Sequence, residues 1–146
     1  MVEGEKDRSE PMGRYVSVDT GEIRWQVQEA CIGDLRSQVL MDYRRILERA
    51  DCEVLKDLRV KTLMRVPVTL EGRQARLLIK VFKCSRLSRR LNYIVRTSKG
   101  LREMRLAEIL AERSIPTILP LAAGERRRRG LLYESYLIVR EREDLS

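Results

Sequence analysis

The run Leu77-Leu78-Ile79-Lys80-Val81-Phe82 constrains this chain more than any other segment. It is apolar at odd and even positions alike, so as a strand it is buried on both faces and belongs in the middle of a sheet. It also carries one charge. Lys80 shares a face with Leu78 and Phe82, while Leu77, Ile79 and Val81 take the other. An unpaired ammonium buried there is strongly unfavourable, so Lys80 needs a carboxylate or a bound anion, unless it snorkels out at the sheet rim.

The flanking segments supply the rest of a sheet. Val54 and Leu55 begin one strand, Leu63 to Leu70 form a second, and Glu71-Gly72-Arg73 makes a tight turn into the run above. A helix is predicted from about Ser98 to Arg113, stopped by Ile115-Pro116. Two final strands lie near Ile118–Ala123 and Leu131–Val139, joined by a Gly124–Gly130 turn. Ahead of all this, Tyr15, Val16 and Val18, the Asp19-Thr20-Gly21 turn, and Ile23, Trp25 and Val27 read as a hairpin. Leu35, Val39, Tyr43, Leu47 and Ala50 then step by three or four, which marks an amphipathic helix from about Ile32 to Ala50. Residues 86–96 form a basic connector.

The expected fold is therefore α+β. A disordered leader spans 1–13 and a hairpin with a helix spans 14–51. Residues 52–146 form a twisted, mostly antiparallel five-stranded sheet with one packed helix.

Composition narrows the chemistry. None of the 146 residues is histidine, which excludes His-based acid–base catalysis and Ser/His or Cys/His nucleophile pairs within them. The three cysteines are far apart and form no CxxC pair, which argues against zinc and a disulfide framework and suits a reducing cytoplasm. No uninterrupted apolar run approaches the roughly 18 residues of a membrane span, and the N-terminus has no signal-peptide h-region. The net charge of +8 is mostly arginine, with only six lysines. Guanidinium forks suit phosphate or carboxylate partners, although codon bias in a GC-rich genome gives the same excess.

Glu103 is the candidate partner for Lys80. It lies on the helix stripe of Leu106, Ala107 and Leu110, whereas Glu108 and Glu112 fall nearer the polar side with Arg102, Arg105 and Arg113. An acid on an apolar stripe, one element after a lysine in an apolar strand, meets that lysine if the helix packs on the sheet. Otherwise it is a helix-flank glutamate with no partner.

A strand lysine followed by a helix glutamate resembles the phosphate-binding pair of the protein-kinase fold. Ile115-Pro116-Thr117, Ala122-Ala123-Gly124-Glu125-Arg126 and Glu134-Ser135-Tyr136-Leu137-Ile138 further resemble the lipopolysaccharide kinases, which phosphorylate Kdo or heptose sugars of the lipopolysaccharide inner core. The likeness runs from about Cys52 to Ser146 and covers only that family's N-terminal lobe.

The resemblance implies an ATP-binding small lobe, with Lys80 on the phosphates, Glu103 orienting it, and the segment around Val139 and Glu141 binding adenine through its backbone. It also implies a cytoplasmic location, peripheral at the inner membrane. At Val139 and Arg140 the chain departs from the polar-acidic pair the family leads one to expect. The phosphate-covering loop, Lys56 to Thr62, has no glycine, so side chains of Arg59, Lys61 and above all Thr62 would replace backbone amides. No catalytic residue is assigned. The base and the magnesium (Mg) ligands would come from a second lobe, and Asp144 is the only aspartate after Glu103.

Two basic clusters remain. Arg126, Arg127, Arg128 and Arg129 read as a turn that could land on anionic lipid or lipopolysaccharide, or as a solvated hairpin tip. The stretch from Lys83 to Arg90 could contact nucleic acid, with only one Phe and one Trp to stack on bases. A basic nucleic-acid module and a pseudokinase-like interaction domain are thus the alternatives to an ATP-binding lobe.

Overall fold

The structure of the protein, a computed structural model, describes residues 15–41, 43–84, 98–115 and 118–141. The predicted leader, the basic connector, Pro116-Thr117 and the residues after Glu141 lie outside them. The strands are β1 (Tyr15–Asp19), β2 (Ile23–Gln28), β3 (Glu53–Asp57), β4 (Lys61–Leu70), β5 (Arg73–Lys83), β6 (Ala122–Arg128) and β7 (Leu131–Arg140). They form one sheet in the order β1-β2-β6-β7-β5-β4-β3, and each pairing is antiparallel.

Seven strands replace the expected five. The predicted hairpin is β1–β2, and β2 pairs along β6 instead of standing apart, with Trp25 opposite Gly124. The close approach depends on that glycine. A Cβ at position 124 would lie 2.6 Å from the indole of Trp25, which is fully buried. The indole in turn packs on Tyr43 and Tyr136, at 5.4 and 5.3 Å between ring centroids. This aromatic cluster joins the added hairpin to the rest of the sheet.

Local chemistry sets the hairpins. Glu71 (φ 51°) and Gly72 (φ 79°) form a two-residue turn of the left-handed kind that matches strand twist. Arg129 (φ 52°) and Gly130 (φ 81°) repeat it. The predicted Gly124–Gly130 turn is therefore shorter than expected. Arg126 to Arg128 belong to β6, because the glycine that favours the second turn position is Gly130.

The predicted helix from Ile32 to Ala50 is broken. One helical turn, α1 (Ile32–Leu35), runs into a π-type turn (Arg36–Leu40), and a 3-10 segment (Tyr43–Glu48) follows. Ser37 Oγ bonds back to the Gly33 carbonyl at 3.1 Å, which perturbs helical geometry. Gln38 is held to the end of β4, donating to Thr69 O at 2.7 Å and accepting from Thr69 N at 2.8 Å. The wider turn lets the consecutive residues Val39 and Leu40 both reach the core.

Helix α2 (Lys99–Glu112) matches its predicted span within a residue at each end, with Ser98 at the N-cap. The sheet is thus the middle layer. On one face the 29–48 segments cover Trp25, Met64, Val66, Leu77, Ile79 and Ile138. On the other, α2 packs on β6 and β7 over Phe82, Ala123 and Leu137, with Tyr15, Leu101 and Val139 at the margin. Strand β5 lies between β7 and β4, as its two apolar faces demand. Leu77 and Ile79 have no exposed surface.

Candidate functional site

The register of β5 fixes what surrounds Lys80. Leu63 of β4 and Leu137 of β7 lie directly opposite it on either side. Two residues along the same face, Phe82 is flanked by Lys61 of β4 and Ser135 of β7. In the other direction Leu78 lies between Arg65 and Val139. Lys80, Leu63, Leu78 and Val139 are half-buried, so this face is apolar yet not closed.

Helix α2 borders it, and buried polar groups set its approach. Gly100 N–H donates to Ser135 Oγ at 2.8 Å, Ser135 Oγ lies 3.2 Å from Ser98 Oγ, and Ser98 N–H donates to Glu125 Oε2 at 3.1 Å. Burial opposes the charge of Glu125, but bonds from Arg127 and Ser98 outweigh it and hold the carboxyl below its ordinary value. The helix enters this tightly because residue 100 has no side chain: a Cβ there would meet Ser135 Oγ and the Tyr136 carbonyl oxygen, each at 2.6 Å.

The first turn of α2 brings a further lysine to the site. The Lys99 ammonium lies 5.1 Å from the centre of the Phe82 ring, and Lys61 lies 5.9 Å from it. Lys61 and Lys99 therefore meet over Phe82, and Lys80 lies two residues along the same face of β5. Among the described residues none of the three forms an ion pair. A cavity of about 260 Å³ opens here, lined by Lys61, Phe82, Lys83, Lys99 and Ser135.

The expected Lys80–Glu103 pair is not formed. Glu103 follows Lys99 by one helical turn, on the helix edge toward β5, and is half-buried. The helix rests over β6 and β7, which leaves Lys80 and Glu103 on the same side of the sheet without contact.

Thr62 does not join the site. It lies opposite Val81, on the reverse face, where its hydroxyl donates to Asp57 Oδ1 at 2.9 Å. The loop before it is a two-residue hairpin closed by Leu58 N–H to Lys61 O at 2.7 Å and Lys61 N–H to Leu58 O at 3.3 Å. Those two amides are not available to an anion. Of the three side chains expected to replace them, Lys61 alone lies on the Lys80 face, and Arg59 is exposed at the turn.

Val139 is on the correct face, but Glu141 has a different task. Its amide donates to Arg76 O at 2.8 Å, which continues the β5–β7 ladder. Antiparallel alternation then points the backbone groups of Val139 toward β5 and those of Arg140 away from it, beyond the end of β6. The Glu141 carboxylate receives Arg65 Nε and Nη2 at 2.9 and 2.8 Å, and Arg76 Nε at 3.2 Å. Bonds from Arg65 hold the Glu141 carboxyl below its usual value. This clamp ties the ends of β4, β5 and β7 together. Alternation in the sequence puts Arg65 and Arg76 on the Lys80 face, but Glu141 becomes their partner only through strand pairing.

Searches against protein-family models, curated proteins and solved structures find no match for the chain. Among the described residues no group of three or more His, Cys, Asp or Glu could hold a metal ion, and no helix is long and apolar enough to cross a membrane.

Proposed function

We propose that this chain is the ATP-binding small lobe of a kinase that phosphorylates a sugar hydroxyl, as the lipopolysaccharide kinases do. The observation that carries the reading is the meeting of Lys61 and Lys99 over Phe82, with Lys80 two residues along the same strand face, all without ion-pair partners among the described residues and beside a half-buried apolar strip. Like charges on one strand face repel one another, and a polyphosphate offsets that repulsion. The strip of Leu63, Leu78 and Val139 suits a flat apolar ring, and the Arg140 backbone groups at its end suit the ring's polar edge. The order from β3 onward (three strands, a helix, two strands) also fits the small-lobe plan.

In this reading Lys80 holds phosphate and Glu103 turns it once the helix edge moves closer. Lys61 and Lys99 flank the far phosphates. Magnesium would accompany ATP, but the described residues offer no acidic cluster for it, so no transfer step is assigned to them.

Thermal shift with Mg-ATP tests this directly. A ligand at about 100 times its Kd adds about 2.7 kcal/mol to stability. Lys80→Ala should weaken the response about tenfold in ATP concentration, while Lys56→Ala, on the edge strand β3, should leave it unchanged. Equal responses from wild type and Lys80→Ala would remove the basis for the proposal. The nucleic-acid alternative fits less well, because Trp25 and Phe82 are both buried and cannot stack on bases.

The same reading places the protein on the cytoplasmic face of a membrane, against anionic lipid or lipopolysaccharide. Of the four arginines, Arg126 pairs with Glu134 at 3.6 Å and Arg127 with Glu125 at 2.8 Å, while Arg128 and Arg129 are exposed. Each basic residue near an anionic surface contributes about 1 kcal/mol. The double variant Arg128→Ala/Arg129→Ala should therefore bind anionic vesicles about tenfold or more weakly in co-sedimentation. Undiminished binding by that variant would exclude this pair as the contact.

A further inference from the structure

On the sheet face opposite Lys80, a second cleft of about 380 Å³ lies between the strands and the Tyr43–Glu48 segment. Its volume is within the range of small-molecule sites, about 300–1,000 Å³. Ile46, Met64 and Val81 form an apolar part of the wall.

The charges that line it come in compensated pairs. The Lys83 ammonium is 3.1 Å from Asp57 Oδ1, and the Arg126 guanidinium is 3.6 Å from Glu134 Oε1. Hydroxyls reinforce both carboxylates: Thr62 donates to Asp57 Oδ1 at 2.9 Å, and Tyr136 donates to Glu134 Oε1 at 2.6 Å. Two cations and two anions leave the cleft without net charge.

Much hydrogen-bonding capacity is nevertheless open. All these bonds fall on one oxygen of each carboxylate. Among the described residues Asp57 Oδ2 and Glu134 Oε2 accept none. Lys83 uses two of its three N–H groups, on Asp57 and on Leu58 O at 3.3 Å. Tyr43 also lines the cleft, and its hydroxyl has no hydrogen-bond partner among the described residues. Burial pushes its phenol well above the ordinary value, so it remains a neutral donor.

We propose that this cleft binds an uncharged, hydroxyl-rich ligand the size of one sugar ring or cyclic polyol. Such a ligand donates to the open carboxylate oxygens and accepts from Lys83 and Tyr43, with its ring carbons against Ile46, Met64 and Val81. An anion would be set against Asp57 and Glu134, and a cation against Lys83 and Arg126. Either would have to disturb a pair already made. Lys83, at the end of β5, lines both this cleft and the smaller cavity by Lys61 and Lys99, whereas Tyr43, Asp57, Arg126 and Glu134 line this cleft and not that one, so variants at those residues test it separately from the nucleotide reading.

Trp25, the single tryptophan, packs against both tyrosines of the cleft and reports on it. Titration of the full chain with myo-inositol and with D-glucose should give a saturable change in Trp25 fluorescence, half-complete at about 1–10 mM, for a site built on a few hydrogen bonds. Glu134→Gln should weaken the response about tenfold. Tyr43→Phe, which removes one oxygen and preserves the aromatic packing, should weaken it as well and serves if the first variant folds poorly. Lys80→Ala should leave the polyol response intact. No saturable response to either polyol would overturn the proposal. So would an unchanged response in Tyr43→Phe, or saturation by inorganic phosphate or glutamate in place of the polyols.

Discussion

Alanine in place of Gly124 should lower the midpoint of thermal unfolding by about 10 °C. The new Cβ would lie 2.6 Å from one indole carbon of Trp25 and 2.9 Å from the next. That indole has no exposed surface and is held by Tyr43 and Tyr136, so it has nowhere to swing. Overpacking of this kind costs about 1–3 kcal/mol, and for a domain of this size each kcal/mol moves the midpoint by roughly 3–5 °C. The damage should concentrate where β2 meets β6, the seam through which the N-terminal hairpin joins the sheet. Gly33→Ala is the matched control, since its Cβ would meet nothing within 4 Å. Circular dichroism melts of the two variants decide the matter. Equal midpoints would mean that the Trp25–Gly124 contact is looser than described.

Gly100→Ala should act on the site itself. Here the obstructing groups are Ser135 Oγ and, at the same 2.6 Å, the main-chain oxygen of Tyr136. A serine can rotate, but a strand carbonyl in the middle of a sheet cannot, so the first turn of α2 has to lift away from β7. That movement breaks the Gly100 N–H bond to Ser135 and withdraws Lys99 from Phe82. The expected cost is again about 1–3 kcal/mol, with a second effect that a simple loss of stability would not produce. Response to Mg-ATP should weaken even well below the unfolding range, while the polyol response of the opposite cleft persists. Hydrogen exchange should show faster exchange in the first turn of α2 and unchanged protection in β4 and β5. Unaltered protection in that turn would show that the helix tolerates the methyl group and that Gly100 does not set its approach.

Much of the fold was legible in the sequence because its causes are local. Apolar residues on both faces of Leu77–Phe82 required a central strand, and β5 is central. Glu71-Gly72-Arg73 announced a tight turn, and the backbone is left-handed at Glu71 and Gly72, with Arg73 already in β5. Ser98 and the Ile115-Pro116 stop located α2, but the stripe expected to face the sheet (Glu103, Leu106, Ala107 and Leu110) is only partly the buried one: Gly100, Met104 and Ala107 are buried, and Leu106 is exposed. One feature of the site was also within reach. Counting back from Leu70 opposite Arg73 across that tight turn puts Leu63 beside Lys80 and Thr62 beside Val81. The hairpin alone therefore sets Thr62 on the other face from Lys80. The broken helix is a different matter. Leu35 and Val39 follow the helical period, but Gln38 is drawn into two bonds with Thr69, thirty-one residues away.

What the sequence by itself determined is the identity of the elements and the face on which each side chain of a strand must lie, because pleat and helical pitch are properties of a few consecutive residues. Only the tertiary structure decided that β2 extends the sheet along β6, that Lys99 joins Lys61 over Phe82 on the Lys80 face while Glu103 stays out of bonding distance of Lys80, and that Glu141 closes a clamp on Arg65 and Arg76. These depend on which distant strands pair and where the helix comes to rest. A glycine at 124 and another at 100 permit that placement, and no periodicity within either segment encodes it.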